Sequence, residues 1–137
     1  MALLTLAGNP ELFRAVGAFV PITDMIAWHE YSGYRTHIEA CLGTPPVGDG
    51  IALYKERSPI SYIDELSRGN LKIFHGKFDK VVPFRQSVDL YNLACEKYPE
   101  SRIFLDVFDG THEMDMESAF FWLTSQLDKK EKTAVTG

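Results

Sequence analysis

Two side chains in this 137-residue sequence have the types and the order needed to pass a proton between them. Asp79 stands in His75-Gly76-Lys77-Phe78-Asp79-Lys80-Val81-Val82-Pro83, directly after the short apolar run Leu71-Lys72-Ile73-Phe74. His112 stands in Asp109-Gly110-Thr111-His112, directly after Arg102 to Phe108, RIFLDVF. A carboxylate that fixes the tautomer of an imidazole and stabilises its positive charge serves to activate a nucleophile. The nucleophile itself is not legible here. A serine for this chemistry stands on a Gly-x-Ser-x-Gly turn, and no such pattern occurs; Ser32-Gly33 has Glu30 where the first glycine would be.

The other candidates read as structural. His75, at the end of an apolar run, is expected to hydrogen-bond the loop that follows it. His29-Glu30 and His37 lack the HExxH spacing that puts two metal ligands on one helix face, so no metal is expected. Glu113, Asp115 and Glu117 read as an acidic first helical turn, which the helix dipole favours. Asp24 reads as a helix N-cap, Cys95 as a core residue, and Phe120-Phe121-Trp122 as core packing. No cofactor is implied.

The elements that must position Asp79 and His112 follow from the apolar pattern. Phe13 to Val20 (FRAVGAFV), Leu71 to Phe74 and Arg102 to Phe108 are strand candidates, continuous enough in apolar residues to be covered on both faces. His75-Gly76 is read as the breaker that ends the second strand. Met1 to Ala7 predicts a helix apolar on nearly every side, hence buried, with Gly8 as a left-handed cap. Ile51 to Arg57 predicts one or two helical turns, and Ile60 to Gly69 a short helical or irregular lead-in. After Pro83, apolar residues at Phe84, Val88, Tyr91, Ala94, Cys95 and Tyr98 predict an amphipathic helix with that stripe inward. Met116, Ala119, Phe120, Leu123 and Leu127 mark the inner face of a last helix. Residues 128–137 form a polar tail expected to fray. Alternating strands and helices predict an α/β fold with a mostly parallel sheet of about three strands between helical layers. Parallel strands bring Asp79 and His112 to the same edge of that sheet, where such folds keep their chemistry.

Composition narrows the function classes. A net charge of −5 argues against binding nucleic acid through its phosphates, and no apolar run approaches the length of a membrane span. Cys41 and Cys95 lie far apart without ligand spacing, which reads as reduced thiols and a cytoplasmic location.

Several segments, taken in order, resemble the carboxyl-terminal part of the catalytic domain in the prolyl oligopeptidase family of serine peptidases, which includes dipeptidyl and acylaminoacyl peptidases. These are Asn9-Pro10-Glu11-Leu12-Phe13-Arg14-Ala15, Val20-Pro21-Ile22-Thr23-Asp24, Ser58-Pro59-Ile60, and His75 to Pro83 with the Gln86-Ser87 that follows. The resemblance covers residues 1–127 and implies the carboxyl-terminal half of an α/β-hydrolase fold. It implies that Asp79 is the triad acid and His112 the base. It implies that Val82 lines the pocket for the substrate side chain, with Tyr34, and Tyr31 or Trp28, as its aromatic wall. Glu113 departs from the family, which often has a small residue after the histidine. The resemblance also places the serine upstream of Met1, so the chain alone is expected to be inactive. Its expected partners are a peptide substrate in the complete enzyme, and a second copy or the missing amino-terminal half through Met1–Val20. An esterase or lipase-like hydrolase on the same fold, or a non-catalytic interaction module, is the alternative.

Overall fold

The structure is a computed structural model that describes the backbone of residues 1–136 and the side chains of residues 1–128. Three parallel strands, β1 (Val16–Phe19), β2 (Asn70–Gly76) and β3 (Arg102–Phe108), lie in the order β1-β2-β3. Seven α-helices accompany them among the described residues: α1 (Ala2–Gly8), α2 (Met25–Tyr31), α3 (Arg35–Leu42), α4 (Gly50–Glu56), α5 (Ile63–Leu66), α6 (Arg85–Lys97) and α7 (Met116–Thr136). A 3-10 turn, Pro59–Tyr62, leads into α5. This is the α/β architecture expected from the sequence, and its strands fall within or around the expected segments.

Strand alternation divides the molecule into layers. Ala18, Leu71, Ile73 and Ile103 point to one face, where they pack with Leu3, Leu6 and Ala7 of α1, Ile63 and Leu66 of α5, and Leu90 and Ala94 of α6. Leu71 and Ile73 are fully buried, and each contributes about 1.5–3 kcal/mol. On the other face Phe19 stacks on Phe74, with ring centroids 5.5 Å apart. There α7 brings Trp122 edge-on to Phe104 at 6.4 Å.

Several expectations need correction. β2 does not stop at His75-Gly76; it pairs through Gly76 with Phe108. β1 is shorter than Phe13 to Val20, because Phe13 to Ala15 precede its pairing with β2 and Pro21 follows it. Helix α1 is one-sided, with Leu3, Leu6 and Ala7 buried and Ala2 and Thr5 exposed. Gly8 belongs to the helix, and Asn9 caps it at φ −146 and ψ 59, outside the left-handed region. Cys95 is exposed. On α7, Phe120 and Phe121 are 74% and 78% exposed, and of the expected inner face only Ala119 is buried. Phe121 borders an open cavity that it shares with Lys72 and Asp106 of the sheet, so no described residue closes over its ring. The polar stretch from residue 128 falls mostly outside the described side chains, although α7 is assigned through Thr136.

Candidate active site

At the carboxyl edge of the sheet, the loops after β2 and β3 are joined through their backbones. The ladder continues past the strands, with Lys77 N–H donating to Phe108 O at 2.9 Å and Phe78 N–H to Gly110 O at 2.9 Å. Such an approach demands glycine at position 76. A Cβ there would stand 2.0 Å from Thr111 O and 2.7 Å from Gly110 O. Gly110 is confined by side chains and not by backbone, since its Cβ would lie 2.3 Å from Glu113 Oε1 and 2.6 Å from the Phe108 ring. Glu113 accepts the Thr111 N–H at 2.9 Å. The residue that departs from the resembled pattern therefore closes the turn that carries His112.

The locked loops bring Asp79 and His112 together, with Nδ1 to Oδ2 at 2.8 Å. The Asp79 side chain is fully buried and that of His112 is 43% exposed. Asp79 Oδ1 accepts the backbone N–H groups of Val81 at 2.8 Å and Val82 at 2.9 Å. Burial by itself would raise the Asp79 pKa. The Val82 amide, the His112 imidazole and the Val81 amide outweigh it, and hold the carboxyl below its ordinary value. An ionised carboxylate only accepts hydrogen bonds, so the proton between the two residues resides on His112 Nδ1. In the neutral imidazole Nε2 then carries the lone pair, and it makes no hydrogen bond among the described residues.

His75 supports the acid loop from beneath. It is fully buried, with Nε2 2.8 Å from Val82 O and 3.4 Å from Asp79 Oδ2, and Nδ1 2.6 Å from Ser87 Oγ. Both neighbours of Nε2 are acceptors, so Nε2–H donates to the Val82 carbonyl and Nδ1 accepts from the Ser87 hydroxyl. Burial lowers the His75 pKa, and the Val82 carbonyl and Asp79 carboxylate offset this only in part. His75 stays neutral and fixes the residue whose amide also holds Asp79. The loop hydrogen bond expected of His75 is this one.

From the other side, Trp28 Nε1–H donates to Val81 O at 2.9 Å, and Trp28 stacks on Tyr34 at 6.2 Å. Helix α2, which carries Trp28, starts at Asp24, whose Oδ1 accepts the N–H groups of Ile26 and Ala27 at 3.0 and 3.1 Å. Val82 is 2% exposed, while Tyr31 and Tyr34 are 59% and 49% exposed. Trp28 and Tyr34 thus gather beside the acid loop with Val82 beneath. Tyr31 makes no described contact with them.

One supporting cluster was not legible. Gln86 Oε1 accepts the N–H groups of Thr23 and Asp24, both at 2.8 Å, and its Nε2–H donates to Asp24 O at 3.1 Å. The Thr23 hydroxyl donates to Gln86 O at 2.6 Å. Ser58 Oγ accepts the Met25 N–H at 2.8 Å and donates to Tyr54 O at 2.7 Å. The Thr23 and Gln86 bonds tie the exit of β1 to the start of α6, and the Ser58 bonds tie the start of α2 to α4. The signal for the former was the polar pair Gln86-Ser87 at the head of an otherwise amphipathic helix.

Among the described residues, no group of three or more His, Cys, Asp and Glu side chains is placed to hold a metal. No helix there is long and apolar enough to cross a membrane.

Comparison with known proteins places this geometry in context. No curated protein matches the chain. Among solved structures it is similar to a Mycobacterium tuberculosis puromycin-hydrolyzing peptidase, with a TM-score of 0.68 and 20% identity over 82% of this chain and 17% of the other. It is also similar to the Pyrococcus horikoshii acylaminoacyl peptidase, with a TM-score of 0.65 and 17% identity over 82% of this chain and 18% of the other. The chain therefore spans less than a fifth of the length of these peptidases, and what it shares with them is the fold. The BD-FAE family model matches residues 8–93, a span that takes in β1, β2 and Asp79 and ends within α6. With most of its length matched, this chain belongs to the BD-FAE family, an α/β-hydrolase-type domain.

Proposed function

We propose that Asp79 and His112 are the acid and base of a Ser-Asp-His triad in a serine peptidase that cleaves short peptides. The observation that carries this reading is the 2.8 Å bond from His112 Nδ1 to the buried Asp79 carboxylate, which leaves Nε2 without a partner among the described residues. In this reading Nε2 takes the proton of a serine hydroxyl as it attacks the scissile carbonyl. Asp79 stabilises the imidazolium so formed, and Nε2 then returns the proton to the leaving amine. Trp28 and Tyr34 form the wall that receives the substrate side chain, with the buried Val82 behind it.

The 137 residues contain no Gly-x-Ser-x-Gly. The serine, and the backbone N–H beside it that forms half of the oxyanion hole, come in this reading from a segment that precedes Met1 in the complete enzyme. The chain associates with that segment, or with a second copy of itself, through Met1–Val20. Its site is the cytoplasm, and no cofactor or metal takes part.

Two experiments test the reading. A fluorophosphonate probe should leave the 137-residue chain unlabelled, and labelling at any of its serines would contradict a serine supplied from elsewhere. In the enzyme completed with its Gly-x-Ser-x-Gly segment, Asp79→Asn should lower kcat on short peptides by about four orders of magnitude. Unchanged turnover would remove Asp79 from the triad, and turnover of p-nitrophenyl esters without peptides would assign an esterase instead.

A further inference from the structure

The opposite, amino edge of the sheet carries a second cluster that the proposed triad does not use. A cavity of about 660 Å³ opens there, lined by Arg14, Arg68, Arg102, Asn70, Gln126 and Glu11 among others. Its size falls in the range of small-molecule sites. The sequence holds six arginines and a net charge of −5, yet three of the six line this one space. None of the three side chains makes an ion pair or hydrogen bond among the described residues, so their guanidinium donors are unspent. Glu11 is the one acid among the described lining residues, which leaves cations in excess there.

Asn70 is the independent observation. It is 3% exposed, and its Nδ2 donates to Arg14 O at 3.3 Å and Gln126 Oε1 at 3.1 Å. Those two acceptors fix which way the amide points. Its Oδ1 is buried without a partner among the described residues, and leaving a buried acceptor unmet is costly. Asn70 lines the arginine cavity beside Arg102, its partner across β2 and β3.

We propose that this cavity binds a small phosphate-bearing ligand that also presents a hydroxyl. The phosphate oxygens would take the arginine donors, whose planar forks suit them, and the hydroxyl would donate to Asn70 Oδ1. A carboxylate or sulfate satisfies the arginines and leaves Oδ1 unmet. Hydrogen phosphate, which keeps a P–O–H near neutral pH, is the minimal form of the ligand. The seven residues of β2 separate this site from Asp79 by roughly 20 Å, so the proposal stands apart from the triad.

The test titrates the 137-residue chain with inorganic phosphate, and separately with sulfate at matched ionic strength, following backbone amides by NMR. Phosphate should shift Gly69 and Asn70 saturably and bind at least about tenfold more tightly than sulfate. Arg102→Gln and Arg14→Gln should each weaken phosphate about tenfold, while Arg85→Gln, which alters an arginine paired with Asp89 on α6, should not. Equal affinity for sulfate would overturn the assignment of a donor-bearing ligand. Absence of saturable shifts up to tens of millimolar phosphate, or binding indifferent to both cavity arginines, would overturn the site.

Discussion

The two edges of this sheet are built from the same three strands and treat polar groups in opposite ways. At the carboxyl edge the buried polar side chains are matched. Asp79 accepts from Val81, Val82 and His112, and His75 bridges Ser87 to Val82. At the amino edge three arginines go unpaired among the described residues, and Asn70 Oδ1 is buried without a donor. A matched cluster holds its side chains in one geometry, as proton transfer requires. An unmatched cluster keeps its hydrogen-bonding capacity for something that arrives. The comparison predicts that substitutions at the carboxyl edge affect folding strongly, and that those at the amino edge affect binding alone.

The largest stability effect is expected at Gly76. Gly76→Ala places a methyl 2.0 Å from Thr111 O, a clash with backbone that no rotamer relieves, and should cost about 3 kcal/mol. Urea denaturation measures the loss, and the Asp79–His112 bond should be lost with it.

A smaller effect appears on acidification. Folded His75 has a lowered pKa, so below about pH 6.5 the unfolded chain takes up a proton that the folded chain declines, and stability falls as pH drops. Asp79 also has a lowered pKa in the folded chain. Its contribution is complete above the unfolded value near 4 and is lost as pH falls through the lower folded value. Thermal melts against pH should show both stages. His75→Gln should remove the upper stage and Asp79→Asn the lower; a profile unchanged in either variant would break the account of that edge. The smallest effect belongs to the amino edge, where Arg102→Gln should change unfolding free energy by less than about 0.5 kcal/mol.

The sequence carried much of the carboxyl edge. Asp79 and His112 follow two apolar runs, and parallel pairing is enough to bring such loops to one side. What stayed hidden depends on contacts that no local pattern encodes. Of the apolar stripe expected on α6, at Phe84, Val88, Tyr91, Ala94, Cys95 and Tyr98, Ala94 is buried and Tyr91 and Tyr98 pack against the core. Phe84 and Cys95 are exposed, and Gln86, Ser87 and Leu90 are buried instead. The helix is turned because Gln86 must reach the backbone of Thr23 and Asp24, and Ser87 must reach His75. Gly76 looked like a strand breaker because glycine often is one. It is instead the strand residue against which another loop's backbone closes. On α7 the apolar residues Phe120 and Phe121 stay exposed, although hydrophobicity alone would bury them. The arginines of the amino edge are scattered along the chain at positions 14, 68 and 102, and only the strand order gathers them.

The central claim is that Asp79 holds the His112 proton on Nδ1 and frees Nε2 for a serine. Nitrogen-15 NMR of the neutral imidazole of His112 reads this directly in the 137-residue chain. The account predicts the Nδ1–H tautomer, lost or mixed in Asp79→Asn. An Nε2–H tautomer in the unaltered chain would contradict it.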